Sequence, residues 1–209
     1  MSGAADAFPL AISQLPSKLN GNDPDWLKGL RRSALQWVSE RGFPTAKDEA
    51  WKYTRVAPIL KIPFKPAEPG ASRRLVAPAI DQLACDLGGP RLVFVNGHFA
   101  PERSLLKSIP REIRITNFAS ALHEDGRTIE PLLSRSPHEH LNGFTALNTA
   151  LAEDGAFIHI PPNTTIEEPI HLLFLSDTGS TPIVSHPKTW VLAGPGSRAT
   201  IVETHASIL

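Results

Sequence analysis

Apolar residues recur at helical spacing early in the chain and predict a helix from about Pro24 to Arg41. Asp23 is the predicted N-cap, because its short carboxylate can accept hydrogen bonds from the first backbone N–H groups. Gly42 provides a C-terminal stop. The residues on the predicted apolar face are Trp26, Leu27, Leu30, Ala34, Trp37 and Val38.

Weaker patterns predict four more helices, one of which carries a cap signal. Thr45 and Asp48 match a capping box, which predicts a short helix packed on the first one. The other predicted helices are Phe8–Leu15, Asn117–His123 and Leu141–Ala152. The aromatic residues predicted to form a core between the first two packed helices are Trp26, Trp37, Trp51 and Tyr53.

Alternation of apolar and polar residues predicts strands at Arg91–Val95 and Glu112–Thr116, with a tight turn at Asn96-Gly97. Beyond Asp154-Gly155 no helix pattern interrupts the predicted strands, which disfavours a doubly wound α/β sheet. These strands are Phe157–Ile160, Ile170–Ser176, Ile183–Ala193 and Ala199–Ser207. They suit a sandwich, a barrel or a β-solenoid, and periodicity does not choose among the three.

The chain is predicted to divide near residue 78. Residues 1–78 form a helical N-terminal region that ends in a proline-rich connection, and residues 79–209 form an α+β lead-in followed by the strands. The segments GAFIHI and GSRATIV begin about 41 residues apart in the second part. That gap could hold two coils of a solenoid, whose repeats span roughly 20–45 residues.

Charge and cysteine content narrow the classes of partner and compartment. Lysine plus arginine and aspartate plus glutamate both number 21, so no general attraction to nucleic acid or to an anionic membrane is expected. The single cysteine, Cys85, cannot form an internal disulfide, which favours a reducing compartment. No secretory leader and no apolar run of membrane-spanning length is present, so the sequence predicts a soluble, cytoplasmic protein.

Histidines are the first candidates for metal chemistry. His138 and His140 flank Glu139, but no third ligand is indicated, so these two are interpreted as exposed or capping residues. His159 and His171 lie opposite the apolar positions of their strands and are predicted to face solvent. His186 is assigned a turn or packing role, because no nucleophile or acid is placed beside it.

The other candidates also favour structural roles. Cys85 is interpreted as a buried thiol, because a cluster site needs several cysteines. Asp48, Glu49 and Lys52 are predicted to form an exposed charged face. The Gly194–Ser197 turn lacks the lysine and the helix of a phosphate loop. No catalytic, cofactor-binding or metal-ligating residue is therefore assigned.

Four blocks resemble SufD-type proteins of the SufB/SufD family, and they occur in the order found in that family. They are DEAWKYT at Asp48–Thr54, LVFVNGHF at Leu92–Phe99, NGFTALNTALAEDGAFIHI at Asn142–Ile160 and HPKTWVLAGPGSRATIVE at His186–Glu203. DEAWKYT and VNGHF favour SufD over its sister scaffold SufB.

The resemblance implies a mainly β fold, in which a small helical N-terminal region precedes a right-handed parallel β-helix. It implies a non-catalytic scaffold in a complex with SufB and the ATPase SufC, with the iron–sulfur cluster handled by the full complex and no cofactor on this segment. Compared with the family, this sequence stops at Leu209, within the β-helix, before the parts that contact SufB and SufC. Its last coil is expected to expose backbone groups and invite self-association.

Two other classes of protein stay open. A β-solenoid enzyme, either an acyltransferase or a sugar-active protein, would need regular hexapeptide repeats or clustered carboxylates. The carboxylates available for the second type are Asp154, Glu167, Glu168 and Asp177. A histidine-dependent metalloprotein on a small β-barrel would use His138 and His140.

Overall fold

The structure, a computed structural model, describes residues 23–68, 83, 87–106, 109–110, 112–133, 142–177 and 182–208. The helices are α1 (Asp25–Arg41), α2 (Ala57–Leu60), α3 (Phe118–Leu133) and α4 (Gly143–Leu151), with 3₁₀ turns at Glu49–Trp51 and Pro101–Arg103. The strands are β1 (Lys65–Pro66), β2 (Arg91–Val95), β3 (His98–Phe99), β4 (Arg114–Asn117), β5 (Ala156–Ile160), β6 (Ile170–Asp177), β7 (Ile183–Val184), β8 (Trp190–Ala193) and β9 (Ile201–Ile208).

These elements belong to two compact units, each assembled from separate parts of the chain. Among the described residues, the helical unit contains 23–66, 126–133, 142–152 and 182–184, and the strand unit contains the others. α3 changes unit at its middle, where Asp125 leaves helical geometry. The predicted division near residue 78 falls in residues 69–82, outside the described part of the chain.

In the helical unit, α1 packs on α4 rather than on a second helix near Thr45. The buried residues of this core are Ala34, Val38, Phe43, Ala146, Leu147, Ala150 and Leu151. Arg31, which interrupts the apolar stripe of α1, is also buried; its guanidinium donates to Asp23 at 2.8 Å and to the carbonyl of Ala150 at 3.1 Å. The bond to Ala150 ties α1 to the C-terminal turn of α4 and satisfies a buried charge.

The predicted first helix is confirmed, together with its glycine stop, but its predicted cap is wrong. Gly42 adopts a φ of 71°, while the N-cap position is Pro24 and has no side-chain cap. Asp23 makes the ion pair with Arg31 instead, at 2.8 Å. The carboxylate of Asp23 therefore binds Arg31, eight residues further along the chain, instead of capping the N-terminus of α1.

The segment after Thr45 forms a single 3₁₀ turn rather than a helix. Asp48 does accept hydrogen bonds from the backbone N–H and the hydroxyl of Thr45, at 2.6 and 3.1 Å. Tyr53 is 91% exposed, so its predicted place in a shared aromatic core is wrong. Trp51 instead contacts Phe144 of α4, with ring centroids 5.7 Å apart.

The strand unit contains one four-stranded and one three-stranded sheet. Their strand orders are β3-β2-β6-β9 and β4-β5-β8, and the pairs β2·β6, β6·β9 and β5·β8 are parallel. Inward-facing residues of both sheets form one core, which includes Ile158 of β5 and Leu172 of β6. β6 is buried on both faces, because Leu173 and Leu175 pack in a second cluster on its other side.

Two of the parallel pairs, β5·β8 and β6·β9, have nearly equal sequence offsets. Phe157 pairs with Trp190 and Ile170 with Ile201, offsets of 33 and 31 residues. The strand in GAFIHI, β5, pairs with β8, whereas the strand that begins within GSRATIV, β9, pairs with β6. The 41-residue spacing between the two segments is therefore not the stacking repeat.

The turns between these strands also stack. The N–H of Asn163 donates to the carbonyl of Pro195 at 2.9 Å, and Asn163 and Gly196 both have positive φ, 56° and 72°. Adding a Cβ to Gly194 would bring it 2.5 Å from the backbone nitrogen of Pro162. The glycine turn thus permits close contact between two successive backbone turns.

Most predicted strands are confirmed with shifts of one or two residues. The Asn96-Gly97 turn is confirmed: both residues have positive φ, and β2 pairs with β3 as a hairpin. Ile183–Ala193 is two strands rather than one, because Pro187 lies between β7 and β8 and has no N–H to donate to a ladder. The predicted helices at 117–123 and 141–152 are confirmed, and Phe8–Leu15 lies outside the described residues.

Candidate functional site at the edge of the stacked strands

A cluster of polar side chains lies on β9, at the edge of the four-stranded sheet. Glu203 accepts a hydrogen bond from the hydroxyl of Thr189 at 2.8 Å, and its second oxygen lies 3.7 Å from Nε2 of His205. Glu203 and His205 align with Leu172 and Phe174 of β6, so they continue two rows of core residues. A carboxylate and an imidazole thus occupy positions that are apolar one strand earlier.

His205 also borders a small cavity. Its ring stacks on Phe174, with centroids 4.9 Å apart and planes 13° apart. The cavity has a volume of about 180 Å³, and its lining includes three serines, Ser176, Ser185 and Ser207. One imidazole and one carboxylate are fewer ligands than the three or four of a zinc site.

The edge itself offers backbone groups. Among the described strands, β8 and β9 each have a partner on one side only. Val191 of β8 pairs with the core residue Ile158, yet it is 44% exposed. An apolar row beside open backbone donors and acceptors is the geometry that accepts an added strand.

Asp154 is a buried carboxylate that joins three elements. It accepts hydrogen bonds from the N–H of Phe99 at 3.1 Å, the side-chain amide of Asn117 at 3.0 Å and the N–H of Ala119 at 3.2 Å. Ala119 lies in the first turn of α3, so the carboxylate also lies at the positive end of that helix. These contacts give Asp154 a structural role, because one carboxylate links β3, β4 and α3.

His171 is buried, so the prediction that it faces solvent is wrong. It is 2% exposed because both faces of β6 are covered. Its Nε2 lies 2.9 Å from the hydroxyl of Thr204, and Nδ1 has no partner among the described residues. Burial lowers the pKa of the imidazole from its ordinary value, and the charge of Arg91 lowers it further.

The remaining predicted candidates are dispersed. His159 is exposed, as predicted, and so are Glu167 and Glu168. His186 is half-buried, close to the Asn96-Gly97 turn. Cys85, His138 and His140 lie outside the residues that the structure describes. Within the described residues, no three side chains of the His, Cys, Asp and Glu types converge as metal ligands.

Two further expectations concern surface groups and turns. The predicted exposed face at Asp48, Glu49 and Lys52 is confirmed. The Gly194–Ser197 segment is a turn stacked on Pro162-Asn163 and leads into β9 rather than into a helix.

Sequence reasoning missed the pairing of Glu203 with His205. The signal was available, because two polar residues replace apolar ones at alternating positions of a strand. Only the register showed that this face continues the core.

No helix in the described part of the chain has the length and apolar character needed to span a bilayer.

Comparison with known proteins gives a consistent family assignment. Residues 12–172 match the family model for the SufBD protein N-terminal region. A SufBD family protein of iron–sulfur cluster assembly from Synechocystis is 30% identical over 191 residues, which is 91% of this chain and 41% of that protein. The iron–sulfur cluster assembly protein SufD of Bacillus subtilis is 24% identical over 193 residues, 88% of this chain and 42% of that protein. The chain thus spans less than half the length of these relatives, and it belongs to the SufBD family through that family's N-terminal region.

Proposed function

We propose that this chain is the N-terminal part of a scaffold subunit for iron–sulfur cluster assembly. The observation that carries the proposal is the family match over residues 12–172. Two assembly proteins with matching segments, from Synechocystis and Bacillus subtilis, support it. In this proposal the cluster is cargo of the whole assembly, and the chain contributes structure and contacts rather than catalysis.

The proposed fold is the beginning of a right-handed parallel β-helix, with β5 and β6 in one coil and β8 and β9 in the next. The parallel pairs with offsets of 33 and 31 residues support it, as do the stacked turns at Pro162 and Pro195. In a crystal structure of the longest reading frame that contains this chain, further parallel strands should pair with β8 and β9. Antiparallel neighbours on both strands would contradict this fold.

The proposed partners are a SufB-type scaffold and a SufC-type ATPase, acting in the cytoplasm. ATP hydrolysis would reside in the SufC-type partner. Since the chain covers 41–42% of its relatives, contacts with these partners are assigned to the longer protein.

A paired affinity experiment tests this assignment. Residues 1–209 and the longest reading frame that contains them are tagged and expressed in the native host, and the recovered proteins are identified by mass spectrometry. We expect the longer form to recover SufB-type and SufC-type proteins in stable ratios, and the 209-residue form to lack the ATPase. Failure of the longer form to recover either protein would contradict the scaffold proposal.

A further inference from the structure

The helical unit displays a segment of unusual charge and exposure that the proposed function does not use. Residues Trp51–Lys65, here called the basic segment, contain no acidic residue. Its cations are Lys52, Arg55, Lys61 and Lys65, and all four are exposed. In a chain with net charge zero, this is a local concentration of positive charge.

Large apolar side chains are exposed among these cations. Tyr53 is 91% exposed, Ile59 45% and Ile62 39%. Lys52 lies over the ring of Tyr53, with its Nζ 5.6 Å from the centroid. Among the described residues, no acidic side chain lies within ion-pair distance of the four cations. The segment therefore combines exposed apolar area with four cations that form no ion pair within the described part of the chain.

The segment is held in place by anchors that alternate with the exposed residues. Val56 is buried, Leu60 and Phe64 pack against the α1–α4 core, and Trp51 contacts Phe144. The N–H of Lys65 donates to the carbonyl of Pro182 at 3.0 Å. Because these anchors fix the backbone, a partner would bind without the entropy loss of ordering a free loop.

We propose that the basic segment docks an acidic segment of another protein that carries at least one apolar side chain. Charge complementarity would orient the partner, and Tyr53 with the two isoleucines would provide the desolvated contact. This inference does not depend on the role in iron–sulfur assembly.

Other occupants fit the segment less well. Three of the four cations are lysines and only one exposed residue is aromatic, whereas nucleic-acid sites favour arginine forks and stacking rings. A membrane-surface helix needs several turns, and α2 has four residues. Residues 1–22 of the chain contain a single acid, Asp6, and do not complement the charge.

Photo-cross-linking tests the proposal in the longest reading frame, expressed in the native host. Benzoylphenylalanine replaces Tyr53, and mass spectrometry identifies the cross-linked peptide. We expect a peptide of another protein with net negative charge, and a yield that falls at least about tenfold with Lys52→Glu, Arg55→Glu and Lys61→Glu together. When the acidic residues of that peptide are replaced by lysine, the cross-linking yield with this triple charge-reversal variant should recover.

A matched control reverses three exposed cations outside the basic segment, by Arg32→Glu, Arg127→Glu and Arg198→Glu. It changes the net charge by the same amount and should leave the yield within about twofold, because the basic segment keeps its own charges. If circular dichroism shows that the triple charge-reversal variant does not fold, the cross-linking yield of the Tyr53-substituted chain with its native charges is measured at increasing salt concentration instead. Loss of that yield at high salt supports the proposal. Cross-links to lipid, nucleic acid or residues 1–22, a partner peptide without excess acid, no cross-link, or a yield insensitive to charge and salt would overturn it.

Discussion

At the scale of single residues, burial on both faces of a strand decides what its polar side chains do. His159 and His171 both lie opposite inward-facing core residues, but the former is exposed and the latter is buried. The difference arises because Leu173 and Leu175 belong to a second cluster on the outer face of β6. A polar residue on such a strand needs an internal partner, and Thr204 provides one for His171.

Stability should fall with decreasing pH through His171. Its folded-state pKa is lowered from the ordinary value of 6.5, so the unfolded chain binds the proton more readily. Above pH 6.5 the imidazole is neutral in both states, so its burial does not reduce the free energy of unfolding. As the pH falls below 6.5, the unfolded chain binds the proton first and the free energy of unfolding decreases. Urea midpoints at pH 7.5 and about 5.5 should therefore differ more for the wild type than for His171→Gln.

His159→Gln provides the matched control, because His159 is an exposed histidine on β5, in the other sheet of the strand unit. It should keep the pH dependence of the wild type. Equal slopes for His171→Gln and the wild type would show that His171 does not titrate with folding.

Loss of the Asp154 carboxylate should destabilise the strand unit. In Asp154→Asn an amide group replaces one acceptor oxygen and faces a backbone donor, which should cost about 1–3 kcal/mol of unfolding free energy. Urea denaturation measures the change. Glu167→Gln, at an exposed carboxylate, should stay within about 0.5 kcal/mol of the wild type, and a similarly small change for Asp154→Asn would refute the structural role.

At the scale of elements, local signals set where helices and turns begin and end. Asn142 caps α4 by accepting from the N–H groups of Phe144 and Thr145, at 2.9 and 3.1 Å. The Thr45–Asp48 pair forms similar hydrogen bonds, yet only a 3₁₀ turn follows. The chain after that turn is instead held by separate anchors against α1 and α4, so tertiary packing overrides the capping signal.

Two glycines should respond oppositely to alanine. Gly194→Ala places a Cβ against the backbone of Pro162 and should destabilise the stacked turns by about 1–3 kcal/mol. Gly29→Ala, within α1 and with no atom within 4 Å of the new Cβ, should stabilise the helix by up to about 1 kcal/mol. Thermal unfolding of both variants measures the pair, and a stabilising Gly194→Ala would contradict the close contact between turns.

At the scale of the whole molecule, stacking leaves a face to be covered. β8 and β9 pair on one side among the described strands, and Val191 and His205 are exposed on rows that continue the core. In the longer relatives more chain is available to cover such a face. Within the described part of the 209-residue chain no further strand pairs with this edge, so its backbone groups are available to a second copy.

We therefore expect the 209-residue chain to self-associate with increasing concentration. Val191→Lys should weaken this association by placing a charge on the apolar row, and analytical ultracentrifugation measures both proteins. Glu167→Gln, at an exposed residue and with the same change of one unit in net charge, should associate like the wild type. A monomer at all concentrations would show that the exposed edge formed by β8 and β9 does not drive self-association.

The sequence by itself determined α1, α4 and the first part of α3, the hairpin turn, the repetitive strands and, through four ordered blocks, the family. These features depend on neighbouring residues, through periodicity, caps and left-handed turn positions, and are therefore legible along the chain. Only the tertiary structure decided the register of β5 with β8, the burial of Arg31 and His171, and the meeting of Glu203 with His205. The register and the two burials depend on contacts between residues that are distant in sequence or on the covering of a second strand face, which local periodicity does not encode. Glu203 and His205 are close in sequence, but only the register with β6 places them on rows that continue the core.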